Sequence, residues 1–389
     1  TLSGDVDVTT LSVGNTVANV AFTGNGSSVA NAVAFANDGT LTLGTSGGTQ
    51  TYNGGLTTTS VGGTVTLNGT IASSNDAIVF GAITLGSATT IETNATSNAA
   101  DITVAAITGG SNNLTLLTGN NIAGADITAS GAISGLGNLE LAEVGGTASF
   151  SNNVAAAALD ADNTVANISF TGSTNTFSAA ASFANDGTLT FGNSTGDSFT
   201  FNGGLTTSSV AGTVTLNTSI SSSNDAMAFG AITLGNNVTL DTNASSTTGD
   251  LTLGVVTGGS NSLTLSTGNN VANTDISASG AISGVTTLTL ADVGGTASFL
   301  ADVDVTTLTI GNTVNNVSLT GSGSSVANAV TFGNDGTLTI GDASGDSFAF
   351  DGGLTVSTAS STLAGSIDST NDDITFGAIT LAAATTLDT

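Results

Sequence analysis

The chain contains no Lys, Arg, His, Cys, Pro or Trp among its 389 residues. Without Lys or Arg it cannot neutralise phosphates, which excludes nucleic-acid binding and attachment to anionic membranes through a basic patch. Without Cys it has no disulfide, thiolate metal ligand or cysteine nucleophile. No apolar run approaches the roughly 20 residues that span a bilayer, so no transmembrane segment is predicted.

The lack of Pro and the scarcity of charge also argue against disorder. Disordered segments combine low hydrophobicity with high charge and abundant Pro, whereas this chain has 39% apolar residues, 7% charged residues and a mean hydropathy of +0.33. Pro removes a ladder hydrogen bond, so its absence suits a backbone that is paired along nearly its whole length. The remaining Thr, Ser, Gly, Asn, Ala, Val, Leu and Ile favour short strands and tight turns. We therefore expect an all-β chain without helices.

Every charged side chain is a carboxylate, which gives a formal net charge of −28. Because the chain has no cation to offset this charge, each carboxylate must face water, a metal ion or another carboxylate. Most of the polar surface must come from hydroxyls and amides.

Whole phrases of the sequence return at a spacing of about 149 residues. Self-similarity of this kind indicates a repeat architecture. We predict one continuous solenoid over 1–389 with tandem units 1–144, 145–293 and 294–389, the last one partial. A chain that starts at Thr1 without Met and stops inside a unit is expected to be a piece of a longer protein. Two of the phrases are Asn15–Asn19, which returns at Asn163–Asn167 and Asn312–Asn316, and Phe80–Leu85, which returns at Phe229–Leu234 and Phe376–Leu381.

Within each unit, apolar and polar residues alternate in short triplets such as Leu41-Thr42-Leu43 and Val65-Thr66-Leu67. Residues two apart share a strand face, so the Leu and Val side chains are predicted to point inward and the Thr side chains outward. The segments between the triplets hold Gly-Gly, Asn-Gly and Asn-Asp-Gly, which are typical of turns. The aspartates of the Asn-Asp-Gly segments are Asp38, Asp186 and Asp335, and we interpret them as turn residues.

A single strand and turn cannot bury its apolar face, whereas stacked coils close a narrow core. We therefore predict one elongated parallel β-helix with about 20 residues per coil and roughly 19 coils about 4.8 Å apart. Each 149-residue unit would hold about seven coils. An array of β-sandwiches is the competing architecture, but it needs linkers between domains, and no stretch of this sequence resembles one.

The segment Gly39–Gly44, Gly-Thr-Leu-Thr-Leu-Gly, is typical of the sequence throughout the chain. In its Gly, Asn, Ser and Thr content the chain resembles bacterial surface proteins of the filamentous-haemagglutinin and autotransporter-passenger type. The resemblance implies a right-handed parallel β-helix at the cell surface or outside the cell.

The leading functional hypothesis is an extracellular structural or adhesive fibre that acts as stalk, matrix or filament. Its expected partner is the chain itself, through end-to-end or lateral assembly, because the ends of a solenoid expose unpaired strands. The alternative is a solenoid face that binds glycans or ice through ladders of outward Thr side chains. The Thr pairs that could form such ladders are Thr40/Thr42, Thr64/Thr66, Thr188/Thr190, Thr213/Thr215 and Thr337/Thr339.

A carbohydrate-active enzyme is the least favoured hypothesis, and no catalytic residue is predicted. Asn273-Thr274-Asp275 and Asp372-Asp373 have a superficial likeness to motifs of polygalacturonase-like hydrolases. The His-Gly and Arg-x-Lys motifs of that family cannot occur in a chain without His, Lys and Arg. Asn273 is therefore interpreted as a turn residue.

No cofactor is predicted except a possible Ca²⁺. Asp5 and Asp7 return as Asp302 and Asp304, and each pair shares a strand face where oxygen ligands could hold Ca²⁺. The alternative is a solvated face, since two carboxylates fall short of six ligands. Phe35, Phe80 and Phe229 are expected inside the coil. Asn-x-Ser/Thr triplets are also frequent, as the composition alone would produce, at Asn25, Asn68, Asn94, Asn167, Asn193, Asn237 and Asn316.

Overall fold

The computed structural model describes residues 1–97, 100–358 and 360–389. These residues form strands and turns without a helix, and the strands stack in parallel as a β-solenoid of about 18 turns with roughly 21 residues per turn. The predicted all-β parallel solenoid is thus confirmed, and its coil size is close to the expected 20 residues. Within the described residues, no helix has the length and apolar character needed to cross a membrane.

The chain divides into two compact units, Thr1–Gly192 with Ser209–Gly212 and Asn193–Ser208 with Thr213–Thr389. This division falls inside the second sequence repeat. The strands of the first unit are Asp7–Val8, Val20–Phe22, Ser28–Val29, Val33–Ala34, Leu41–Leu43, Thr49–Tyr52, Leu56–Thr57, Val65–Ala72, Ile78–Phe80, Ile83–Glu92, Ile102–Val104, Ile107–Thr108, Leu114–Leu117, Ile127–Ala129, Ile133–Ala142, Val144–Phe150, Val154–Ala161, Val165–Phe170, Thr174–Phe177, Ala181–Phe183 and Leu189–Phe191. The strands of the second unit are Ser198–Phe201, Leu205–Thr206, Val214–Leu216, Ser219–Ser222, Met227–Phe229, Ile232–Leu234, Val238–Asp241, Leu251–Leu253, Val256–Thr257, Leu263–Ser266, Ile276–Ala278, Ile282–Leu290, Val293–Phe299, Val303–Ile310, Val314–Leu319, Gly323–Val326, Val330–Phe332, Thr337–Ile340, Ser347–Phe350, Leu354–Val356, Ser360–Asp368, Ile374–Thr375 and Ile379–Asp388.

Each turn of the coil has three sides. In the first unit, the sides at Leu41–Leu43, Thr49–Tyr52 and Leu56–Thr57 follow one another before the chain returns to its starting side at Val65. Val65 then pairs with Leu41 in a parallel ladder. Every side therefore stacks on the equivalent side of the previous turn, and the two neighbours satisfy its backbone hydrogen bonds.

The core lies in the narrow space that the three sides enclose. Leu41 and Leu43 are fully buried, whereas Thr42 between them is only half-buried, as the alternation predicts. Phe35, Phe80 and Phe229 are buried as expected. Aromatic rings also stack from turn to turn, since the rings of Phe150 and Phe170 lie 4.8 Å apart at an angle of 12°. Each such buried ring stabilises the fold by about 1.5–3 kcal/mol relative to an exposed one.

Asparagine side chains connect successive turns at the solenoid surface. Oδ1 of Asn167 accepts a hydrogen bond from the backbone N–H of Thr188, 2.9 Å away and one turn later. The same oxygen accepts a second bond from the Thr188 hydroxyl at 2.8 Å. An equivalent bond joins Asn19 to Thr40 in the first repeat and Asn316 to Thr337 in the third. These bonds hold one turn on the next outside the strand ladders.

The sequence repeat does not correspond to a whole number of turns. In the second unit, three ladders of paired strands define face a, face b and face c, which begin at Ser198–Phe201, Leu205–Thr206 and Val214–Leu216. The repeat-equivalent of Phe199–Phe201 is Phe348–Phe350. The first strand lies on face a, but the second lies on face c, in the ladder that runs from Val214 through Ile232, Val256, Ile282 and Val303 to Ser325.

Phe348–Phe350 is on the twentieth side after Phe199–Phe201, because Ile282–Leu290 and Val303–Ile310 each span two sides. At three sides per turn, twenty sides make six and two-thirds turns, whereas the sequence suggests about seven. Equivalent residues of successive repeats therefore lie on neighbouring faces. An equivalent residue lies on the same face again only after three repeats.

Candidate functional surfaces

The four candidate calcium aspartates each accept a hydrogen bond from the backbone of the next turn. This use of the carboxylate resembles the asparagine contacts described above and gives each Asp a structural role. Among the described residues, no group of three or more His, Cys, Asp or Glu side chains could hold a metal ion. The contacts run from the N–H of Gly26 to Asp5 (2.8 Å), Ser28 to Asp7 (3.1 Å), Gly323 to Asp302 (2.8 Å) and Ser325 to Asp304 (3.1 Å).

The structure does not bring the aspartates of the hydrolase-like motifs together. Asp275 precedes Ile276 on face b, whereas Asp373 precedes Ile374 more than four turns later on another face. At about 4.8 Å per turn, roughly 20 Å separates them along the axis, beyond the ~5–9.5 Å between the paired carboxyls of glycosidases. Asn273 has a φ of +63°, which agrees with its interpretation as a turn residue.

Outward threonines form rows in register. In the first unit, Thr42, Thr66, Thr84 and Thr108 follow one another on successive turns of one face. In the second unit, Thr215, Thr233 and Thr257 form the equivalent row on face c, and the strand spacing sets their hydroxyls about 4.8 Å apart. Of the threonine pairs named from the sequence, the second members Thr42, Thr66 and Thr215 therefore lie in such rows. Thr337, a first member, pairs with Ser360 instead.

In the third repeat, the equivalent row of threonines lies on a different face. Thr339, Thr362 and Thr380 are aligned on face b, whereas the equivalent row of the second repeat lies on face c. Because the repeat advances by six and two-thirds turns, neither row continues the other. The threonine surface is thus distributed around the solenoid rather than gathered on one side.

Asparagines of the Asn-x-Ser/Thr triplets, the acceptor sequence for N-glycosylation in secreted proteins, have structural contacts of their own. Oδ1 of Asn167 and Oδ1 of Asn316 hold the following turn. Oδ1 of Asn237 accepts the N–H of Ser262 at 2.9 Å, and Nδ2 of Asn94 donates to the carbonyl of Ser73 at 3.2 Å. These contacts give the frequent Asn residues a role in the fold.

Three buried asparagines, one in each repeat, were not predicted. Asn37, Asn185 and Asn334, the first residues of the three Asn-Asp-Gly segments, are buried. Nδ2 of Asn37 donates to the carbonyls of Gly39 and Thr40, both at 3.0 Å, so its amide braces the turn from within. The sequence marks these segments as turns but carries no signal that the Asn points inward.

Two surface grooves are repeat-equivalents of each other, 149 residues apart. Each lies beside a β-bulge, where a glycine with positive φ (Gly135, +64°; Gly284, +66°) interrupts the strand register. Groove 1, in the first unit, has a volume of about 340 Å³ and is lined by Ser111, Gly135, Leu136, Ala155, Ala156, Ala157, Thr176 and Ser178. Groove 2, in the second unit, has about 300 Å³ and is lined by Ser260, Gly284, Val285, Thr286, Asp304, Val305, Thr306, Ser325 and Ala327.

The two grooves have the same architecture but different chemistry. Small and apolar residues dominate groove 1, where Ala155 and Ala157 stand at the positions of Asp304 and Thr306. Groove 2 therefore places a carboxylate and additional hydroxyls around its floor. Its carboxylate belongs to Asp304, one of the candidate calcium ligands.

Glu92 in the first unit is the carboxylate whose electrostatics depart most clearly from an isolated side chain. Partial burial and the neighbouring carboxylate of Glu143 raise its pKa above the ordinary value, although a hydrogen bond with Asn94 opposes this. Because the chain has no Lys, Arg or His, no cationic side chain can lower this pKa.

Comparison with known proteins gives no match in family, sequence or fold. No protein-family model, no curated protein and no solved structure matches the chain. The resemblance to filamentous-haemagglutinin-like and autotransporter-passenger proteins, carried by phrases such as Gly39–Gly44, therefore stays a prediction.

Proposed function

We propose that this chain is the spacer of an extracellular or cell-surface fibre, in which stacked repeats supply reach and stiffness. The observation that carries the proposal is the way one repeat joins the next. Val144 and Val293, at the two joins, pair with Val165 and Val314 in ladders like those of any interior turn. Repeats can therefore be added without interrupting the backbone hydrogen bonds or the core.

The chemistry of the surface supports exposure to a harsh environment. The single Met and the single Tyr are buried, with exposed fractions of 0% for Met227 and 3% for Tyr52. The chain has no Lys or Arg and so offers no trypsin cleavage site. Oxidants would therefore not reach the thioether or the phenol, and trypsin would find no bond to cut.

Self-association is the partner interaction that we propose for the fibre. Twenty-eight carboxylates without a cation repel a second copy at low ionic strength, and salt or divalent ions screen this repulsion. Sedimentation of the purified chain at rising Ca²⁺ or salt should show assemblies that dissociate on dilution into low salt. Monodisperse single chains under all of these conditions would remove self-association from the proposal.

Antibody labelling tests the location of the fibre. An antibody against the chain should label intact cells of the source organism without permeabilisation, and repeat deletion should move the label closer to the cell surface. Labelling only after permeabilisation would reject the extracellular spacer.

A second candidate function is recognition by the threonine rows. The aligned hydroxyls of Thr215, Thr233 and Thr257 favour it, because their regular spacing could order water or bind a neutral glycan. Replacing all three by Val keeps the shape and removes the hydroxyls. Thermal hysteresis or glycan-array binding that disappears in this variant would support recognition, whereas inactivity of the unmodified chain in both assays would reject it.

A further inference from the structure

We propose that groove 2 receives a basic side chain, Lys or Arg, of a partner protein. The groove places a carboxylate and hydroxyls around its floor. Val285 and Val305 lie beneath this floor and are nearly closed off, with exposed fractions of only 1% and 6%. The groove therefore recognises a long basic side chain chiefly through its charged head, which seeks polar groups.

The carboxylate of Asp304 is held in place by the next turn. Its Oδ1 accepts hydrogen bonds from the backbone N–H of Ser325 at 3.1 Å and from the Ser325 hydroxyl at 2.9 Å. Among the described residues, Oδ2 receives no hydrogen bond. A fixed carboxylate with one available oxygen suits a charge-assisted bond to an ammonium or guanidinium group.

The rim supplies further oxygen acceptors. The hydroxyl of Thr286 donates to the carbonyl of Ser260 at 2.7 Å, which leaves its lone pairs for an incoming N–H donor. Thr306 adds a second hydroxyl to the lining. A volume of about 300 Å³ accommodates one extended side chain rather than a folded segment.

Charge complementarity selects the partner. The chain has a net charge of −28 and no Lys or Arg, so a second copy cannot supply the basic side chain. The negative field of the whole solenoid attracts a basic protein, and groove 2 fixes where one of its side chains docks. The proposed partner is therefore a different protein, and the inference does not depend on self-association.

Groove 1 provides a natural control within the same chain. It has the same bulge and a floor over buried apolar residues, Leu136 and Ala156, but Ala155 replaces the carboxylate. Ala155→Asp should therefore create a second docking groove.

The test is a titration of the full chain with a capped Gly-Arg-Gly peptide, in which NMR monitors the backbone amide signals. Shifts are expected at Thr306, Ser325 and Ala327, and a peptide with norleucine in place of Arg should leave them unchanged. Asp304→Asn keeps the acceptor for Ser325 and should weaken binding about five-fold, a typical upper value for one exposed ion pair. Asp302→Asn removes the same charge outside the groove and should leave the binding at groove 2 nearly unchanged.

Three results would overturn the proposal: equal binding by Asp304→Asn and the parent chain, equal binding of the norleucine peptide, or shifts distributed evenly over the carboxylates of the chain. The last outcome would show general attraction to an acidic surface. None of the three would affect the spacer function.

Discussion

The phenol of Tyr52 donates a hydrogen bond to Oε1 of Gln50, 3.0 Å away, and both side chains are buried in the first unit. Nε2 of Gln50 donates in turn to the carbonyl of Phe22 at 2.8 Å. Burial raises the pKa of the Tyr52 phenol, so it stays protonated and remains a donor. The later repeats have Phe at both positions, as Phe199/Phe201 and Phe348/Phe350. The first repeat thus has a hydrogen-bonded pair where the other two have an aromatic pair.

This pair predicts a strong coupling between the two positions. Tyr52→Phe leaves Oε1 of Gln50 buried without its donor and should lower the free energy of unfolding by about 1–3 kcal/mol. Adding Gln50→Phe recreates the pair found in the other repeats and should recover much of that loss. The carbonyl of Phe22 keeps a partner in the double variant, because the N–H of Gly44 also donates to it at 2.9 Å. Chemical denaturation of the single and double variants measures the coupling, and additive effects would contradict it.

The turn-connecting asparagines predict a local effect. Asn167→Ala removes the acceptor for the Thr188 N–H and should cost about 1 kcal/mol. Asn167→Asp keeps an acceptor oxygen and should retain most of the stability. Hydrogen exchange at the Thr188 amide is the direct measurement, with faster exchange expected in the Ala variant only. Unchanged protection of the Thr188 amide in Asn167→Ala would show that the Asn167 side chain does not hold one turn of the solenoid on the next.

Glycine is required where one turn of the solenoid lies close against the next. A Cβ at Gly39 would lie 2.1 Å from the carbonyl oxygen of Ala18, a contact that only backbone movement could relieve. Gly39→Ala should therefore destabilise the first unit by more than about 2 kcal/mol. Gly345→Ala is the matched control, because a Cβ there has no atom within 4 Å. Equal denaturation midpoints for the two variants would contradict the close stacking.

Glu92 predicts a pH-dependent difference between the parent chain and Glu92→Gln. Because folding raises its pKa above the ordinary value of 4.5, the folded state binds more protons than the unfolded state between the two values. Stability is therefore lost as pH rises from about 4.5 through the raised pKa of the folded state. Glu92→Gln should match the parent below pH 4 and be slightly more stable at pH 7, by a margin that salt reduces. A parent chain that is the more stable of the two at pH 7 would contradict this sign.

Local alternation was enough to predict the coil. The alternation in Leu41-Thr42-Leu43 predicts which side chains face the core, because side chains two residues apart lie on the same face of a strand. The tight turns between strands carry less information about which side chains are buried. Asn37 has the composition of a surface turn, and only its contacts with the carbonyls of Gly39 and Thr40 show that it lies inside.

The features that depend on how turns align could not be predicted. Val65 and Ile83 pair although only 18 residues separate them, whereas Ile107 and Ile133 pair across 26. Because turn length varies in this way, the sequence period could not reveal the rotation of each repeat onto the next face. The bulge at Gly284 and the groove beside it likewise arise from the register between turns.

Length as a function of repeat number tests the spacer most directly. Each added 149-residue repeat contributes six and two-thirds turns and should lengthen the particle by about 32 Å at constant width, since the turns lie about 4.8 Å apart. Electron microscopy of chains with one, two and three additional repeats provides the measurement. A linear increase near this value is the predicted result, and particles that grow in width or become globular would contradict the account.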